Sequence, residues 1–153
     1  MPILNYTTEI RAEKSIGEIQ GMLAARGAET IVVQYVNGRP GALFFIVPTP
    51  YGKIPFRLPA NIEAVKRVME RQRVRKKVPS DMASRVAWRI LKDWVKAQMA
   101  ILETEMVDLQ EIFLPYMVSQ NRTLYETMKD YQFQLPQGEE RGTAEYAGKE
   151  EKC

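Results

Sequence analysis

Apolar and polar positions change period several times along this chain, and each change marks an element. The longest regular stretch is Ser84–Glu103, SRVAWRILKDWVKAQMAILE. At about 100° per residue, Val86, Ala87, Ile90, Leu91, Trp94, Val95, Ala97, Ile101 and Leu102 spread over more than half of a helix circumference, with Trp88 at the edge of that arc. A surface helix carries a narrower apolar stripe, so this stretch predicts a long central helix packed on two sides. The remaining face is narrow and basic. Arg85, Arg89, Lys92 and Lys96 step by four, three and four, a cationic ridge expected to face water.

The flanking pattern supplies the other elements. Residues 3–10 set Ile3, Asn5 and Thr7 against Leu4, Tyr6, Thr8 and Ile10, which predicts a first strand. Ser15 and Glu18 form a capping-box pair, opening a helix that buries Ile16, Ile19, Met22 and Leu23 and stops at Gly27. Thr30–Val36 and Ala42–Val47 read as two strands joined by the five-residue loop Asn37–Gly41. Both faces of Ala42–Val47 are apolar, so that strand is expected to be covered on both sides. Lys53–Leu58 gives a third strand, placed at an edge by Pro55.

Asn61 is positioned to cap a helix through Ile62, Val65, Val68 and Met69. Beyond Gln72 that face is lost, and RVRKKVPS reads as a basic connector closed by Pro79, with Ser80 or Asp81 starting the central helix. Asp108–Glu111 and Thr123–Glu126 predict a short helix before Pro115 and another over Leu124–Tyr131. Gln137–Cys153 is polar and without periodicity, the pattern of a disordered tail behind a single domain at 1–136. The sum is an α+β fold: an antiparallel meander of three to four strands packed with about five helices.

Charge changes this picture from a fold into a candidate surface. The net +3 conceals segregation: residues 1–65 hold 6 basic and 5 acidic side chains, 66–96 hold 11 and 3, and 97–153 hold 5 and 11. Phosphate binding needs cations within reach of one backbone. The candidate anion-binding residues are therefore Arg67, Arg71, Arg73, Arg75, Lys76 and Lys77 of the connector region, which also contains Lys66, extended by Arg85, Arg89, Lys92 and Lys96. The competing reading is a solvated helix face, or cations matched to Glu103, Glu105, Asp108 and Glu111 of a second copy.

Composition removes much chemistry. The chain has no histidine, so it lacks an imidazole base and every nucleophile pair that relies on one. Its one cysteine, Cys153, cannot form an internal disulfide or a zinc site, which makes a cytoplasmic setting the default. No apolar run approaches a membrane span, and the N-terminus has no signal-peptide pattern. Asn37–Gly41 is not followed by Lys-Ser/Thr and is no phosphate loop. A carboxylate–Mg²⁺ hydrolase would need acids such as Glu29, Glu63 and Asp93 to converge, and nothing in their spacing asks for it. The favoured reading is non-enzymatic, with no cofactor implied.

Two apolar sets have alternative readings. Tyr35, Phe44, Phe45 and Phe56 are either a stacking platform for bases or core, and Phe113–Val118 either packs on the core or forms a dimer patch. Several stretches together, LNYTT, IGEIQ, PFRLPANIEAV, RVAWRILKDWVKAQMAILE and FLPYMV, resemble a family of small phage- and prophage-encoded proteins over roughly residues 4–125. The resemblance implies expression in a bacterial host cytoplasm, for phage DNA metabolism or for blunting host defence. It carries over no catalytic residue. The resulting expectation is a phage-type protein that binds nucleic acid largely without sequence preference. The alternative is an accessory, anti-defence protein that engages a host protein or sequesters a small nucleotide-like anion, as a homo-oligomer.

Overall fold

A computed structural model describes residues 1–72 and 74–137. They form an α+β fold in which α1 (Ala12–Ala25) leads into a meander of β1 (Thr30–Val36), β2 (Arg39–Thr49) and β3 (Gly52–Pro59), with β2 central and both pairings antiparallel. Then come α2 (Ile62–Arg71), the 24-residue α3 (Ser80–Glu103) and α4 (Leu109–Phe113), which runs into a 3-10 turn. A small hairpin of β4 (Val118–Ser119) and β5 (Arg122–Thr123) and a last helix, α5 (Leu124–Asp130), complete the described part. The expected tail lies, from residue 138 onward, outside the described residues.

The broad apolar arc of α3 is used on two sides. Trp88, Val95 and Met99 join one core with Ile16, Ile19 and Leu23 of α1 and with Leu43, Phe45, Phe56 and Leu58 of the sheet. Ala83 and Val86 join a second cluster with Met69, Val78 and, from the N-terminal segment, Ile3 and Tyr6. Trp88 is fully buried, and its Nε1–H donates to the Pro40 carbonyl at 3.1 Å, fastening α3 to β2. Phe113 is also fully buried, with its ring 5.4 Å from Phe45, 5.9 Å from Phe56 and 5.7 Å from Trp94. The start of the Phe113–Val118 segment is thus core, as are Phe45 and Phe56; Tyr35 is exposed and Phe44 half-buried.

Several sequence expectations are corrected. Residues 3–10 are not a strand, and residues 4–7 form turns: Asn5 adopts a φ of 62°, Tyr6 N–H donates to the Ile3 carbonyl, and Thr8 N–H donates to that of Asn5. Local turn bonds replace a partner strand there, while Ile3 and Tyr6 still reach apolar neighbours. α1 begins at Ala12, with Arg11 at the cap and no side-chain capping bond, so Ser15 and Glu18 lie inside the helix and cap nothing. Its end is as expected: Gly27, at φ 98°, donates to Ala24 and Ala28 donates to Leu23, the paired bonds of a Schellman motif.

The first hairpin turns on two residues, not five. Asn37 and Gly38 both have positive φ, 51° and 76°, as a type I′ turn requires. Gln34 pairs with Ala42 but Tyr35 with Pro40, so Gly41 is an extra, bulged residue. A Cβ on Gly41 would stand 2.8 Å from Val36 Cγ2, which makes glycine the residue that fits. Among the described residues β2 is fully covered on one face and partly on the other. Leu43, Phe45 and Val47 are buried, whereas Phe44 and Ile46 stay half-buried beside Val32, which is 46% exposed.

The β4–β5 hairpin was not expected, because Gln120 and Asn121 make its turn at φ 51° and 62° without glycine. Arg57 braces it, donating from Nη1 to the Asn121 carbonyl and from Nη2 to its side-chain oxygen. Two caps form as anticipated, Asn61 accepting from Ala64 N–H and Thr123 from Glu126 N–H. Asp108 occupies the cap position of α4 without a side-chain bond.

Candidate anion-binding surface

The connector is built by the way α2 ends. Its apolar side follows Ile62, Val65 and Met69 onto α3, which leaves Arg67 and Arg71, four residues apart, on the exposed side. From residue 74 to 79 the chain is in neither helix nor strand, and Arg75, Lys76 and Lys77 are all exposed. Lys66 is half-buried, and Arg73 lies outside the described residues. The one acid in this segment, Glu70, is turned inward, its Oε1 accepting the Val78 N–H at 3.2 Å. Among the described residues, none of Lys66, Arg67, Arg71, Arg75, Lys76 and Lys77 forms an ion pair.

The α3 ridge does not continue this track through water. Arg89 and Lys92 are only 15% and 13% exposed, because α1 packs along that side of α3. Arg89 Nη1 donates to Glu18 Oε2 at 2.8 Å and reaches the buried Ser15 hydroxyl at 3.4 Å. Lys92 lies 3.9 Å from Glu18 and 3.3 Å from Asp93. Asp93 in turn accepts from the Asn5 side-chain amide at 2.8 Å, which ties the N-terminal segment to α3. The Asn5 hydrogen bond is the main reason that the Asp93 carboxyl sits below its ordinary range; Lys92 and Arg89 add to this against the opposing effect of burial.

These two cations are therefore seam residues, a correction to the expectation of a solvent-facing ridge. The missed signal was the matched spacing of Ser15/Glu18 on one helix and Arg89/Lys92 on the other, both three residues apart. Lys96 is exposed and unpaired among the described residues. Arg85 goes elsewhere: it lines a cavity of about 320 Å³ together with Arg11 and Arg39, two residues that charge counting along the chain did not group with it.

Glu29, Glu63 and Asp93 do not meet. Glu29 pairs with Lys53 at 2.8 Å and Asp93 with Asn5 and Lys92, while Glu63 stands exposed on α2. Among the described residues no three Asp, Glu, His or Cys side chains gather as a metal site, and no helix is long and apolar enough to cross a membrane. In comparisons with known proteins, no family model, no curated protein and no solved structure matches this chain.

Proposed function

We propose that this is a non-enzymatic, phage-type nucleic-acid-binding protein whose contact surface is the α2 end and connector, Lys66–Lys77. The observation that carries the reading is the set of six described cations in twelve consecutive positions without a carboxylate partner among the described residues, beside a Glu70 already engaged by backbone. Unpaired, hydrated cations of this density are what phosphate contacts use, and they read backbone charge with little regard to base. Lys96 can lengthen the track, but Arg89 and Lys92 do not belong to it. The experiment is retention of single- and double-stranded oligonucleotides at low salt. The parent chain should bind, and a chain with Arg71, Arg75 and Lys77 changed to Gln should lose most binding; a parent chain that retains neither strand form would sink the reading.

A second reading, an interaction protein that engages a host partner or a second copy, is favoured by β1. This edge strand carries no charged residue, and Val32, Tyr35 and Val36 are all exposed on it. Sedimentation of the pure chain at rising concentration separates self-association from a monomer.

A further inference from the structure

The structure points to a second, discrete site in the cavity between the first hairpin and the starts of α1 and α3. We infer that this cavity binds a small phosphomonoester of nucleotide size. It goes beyond the connector reading and uses different residues. Arg11, Arg39 and Arg85 line it from three parts of the chain, with Ser84 at its wall and Tyr35 at its hairpin side.

Arg85 is the central group. Its Nε is buried and has no hydrogen-bond partner, and the guanidinium makes no ion pair among the described residues. A buried, unpartnered donor of a charged group is costly unless something accepts from it. Ser84, 4% exposed, stands beside it in the cavity wall. One buried charged donor at this cavity thus lacks an acceptor among the described residues.

The electrostatics agree in magnitude. Two acids also line the cavity: Glu13, 3.8 Å from Arg11, and Asp81, which accepts from Arg39 Nε at 2.9 Å. Three arginines against two acids leave the lining one net positive charge, and among the described residues the terminal amino groups of Arg39 have no partner. α1 and α3 both start here, at Ala12 and Ser80, and neither Arg11 nor Pro79 caps its helix with a side-chain bond. Each open helix start adds the equivalent of roughly half a positive charge. The total of about two positive charges matches the roughly −1.5 to −2 of a phosphomonoester at neutral pH. A volume of about 320 Å³ falls at the small end of ligand sites, and Tyr35 offers an exposed ring for a base or sugar to lie against.

The test is calorimetric titration of the full chain with adenosine 5′-monophosphate, inorganic phosphate and adenosine. The nucleotide should saturate at one per chain, phosphate should compete with it, and adenosine should not. Arg85→Gln should weaken nucleotide binding at least tenfold, and Lys129→Gln, on α5, should leave it unchanged. If Arg85→Gln fails to fold, as circular dichroism would show, Arg39→Gln at the more exposed wall carries the same expectation. Absence of saturable nucleotide binding, competition by adenosine equal to that of phosphate, or unchanged affinity in the folded arginine variants would overturn the assignment. Oligonucleotide retention by the connector is read separately, so either result can fail without the other.

Discussion

Arg89 and Glu18 meet at 2.8 Å across the seam between α3 and α1, a guanidinium on the basic side of one helix closing on an acid in the middle of another. The pair is mostly withdrawn from solvent on the arginine side and about one-third exposed on the glutamate side. Removing one partner of such a pair strands the other charge, and that penalty exceeds the small value of a surface ion pair.

Glu18→Ala should therefore destabilise the chain by about 2 kcal/mol, between the surface and buried limits for broken ion pairs. Urea denaturation measures the loss. Replacing both members, Glu18→Leu with Arg89→Met, should recover most of it, because no unpaired charge remains. Arg89→Met alone should lower stability while leaving the salt dependence of oligonucleotide binding unchanged. A reduced slope in a folded Arg89→Met chain would return Arg89 to the contact surface.

Asp93 links stability to acid. Its carboxyl is held below the ordinary value, first by the Asn5 amide and then by Lys92, so the folded state favours the charged form. A lowered folded pKa contributes stability that is fully present above the unfolded value, about 3.9 for Asp, and is lost as pH falls through the folded value. Asp93→Asn should thus flatten the fall of the urea midpoint below about pH 4. Asp130, lowered by its bond with Arg122, keeps part of that slope in the variant. Identical midpoint profiles for parent and variant would show that the Asn5–Asp93 bond is not made in solution.

Gly41→Ala should cost on the order of 1 kcal/mol, since the new methyl meets the β-branched Val36 at a distance that forces a shift. Val36 is exposed, so trimming it is cheap, and Gly41→Ala with Val36→Ala should regain most of the loss. An equal cost in both backgrounds would place the strain in the bulged backbone itself.

How much of this was legible follows from what each signal measures. The two-sided burial of α3 was written in its apolar arc, and the caps at Asn61 and Thr123 in local spacing, because both depend on near neighbours in sequence. The strand expected at residues 3–10 failed because alternation over so short a stretch does not distinguish a strand from turns that bury Ile3 and Tyr6. The Ser15–Glu18 pair has the spacing of a capping box, yet the same spacing places both residues on one helix face, where α3 meets them. The hairpin loop was read too long because Pro40 and Gly41 look like turn residues, although one pairs in the strand and the other forms its bulge. Arg67, Arg71, Arg75, Lys76 and Lys77 are exposed, since cations without a periodic apolar face have nowhere to be buried. The Arg11–Arg39–Arg85 cavity was invisible because three segments must fold before it exists.

The central claim is that the connector cations hold phosphates, and the salt dependence of duplex binding tests it most directly. Fluorescence anisotropy of a labelled duplex between about 50 and 300 mM KCl should give log affinity falling linearly with log salt, with a slope of about −4 to −5 for some five phosphate contacts. Arg71→Gln, Arg75→Gln and Lys76→Gln together should shrink that slope by about three. No binding at the lowest salt, or a slope unchanged in the triple variant, would contradict the account.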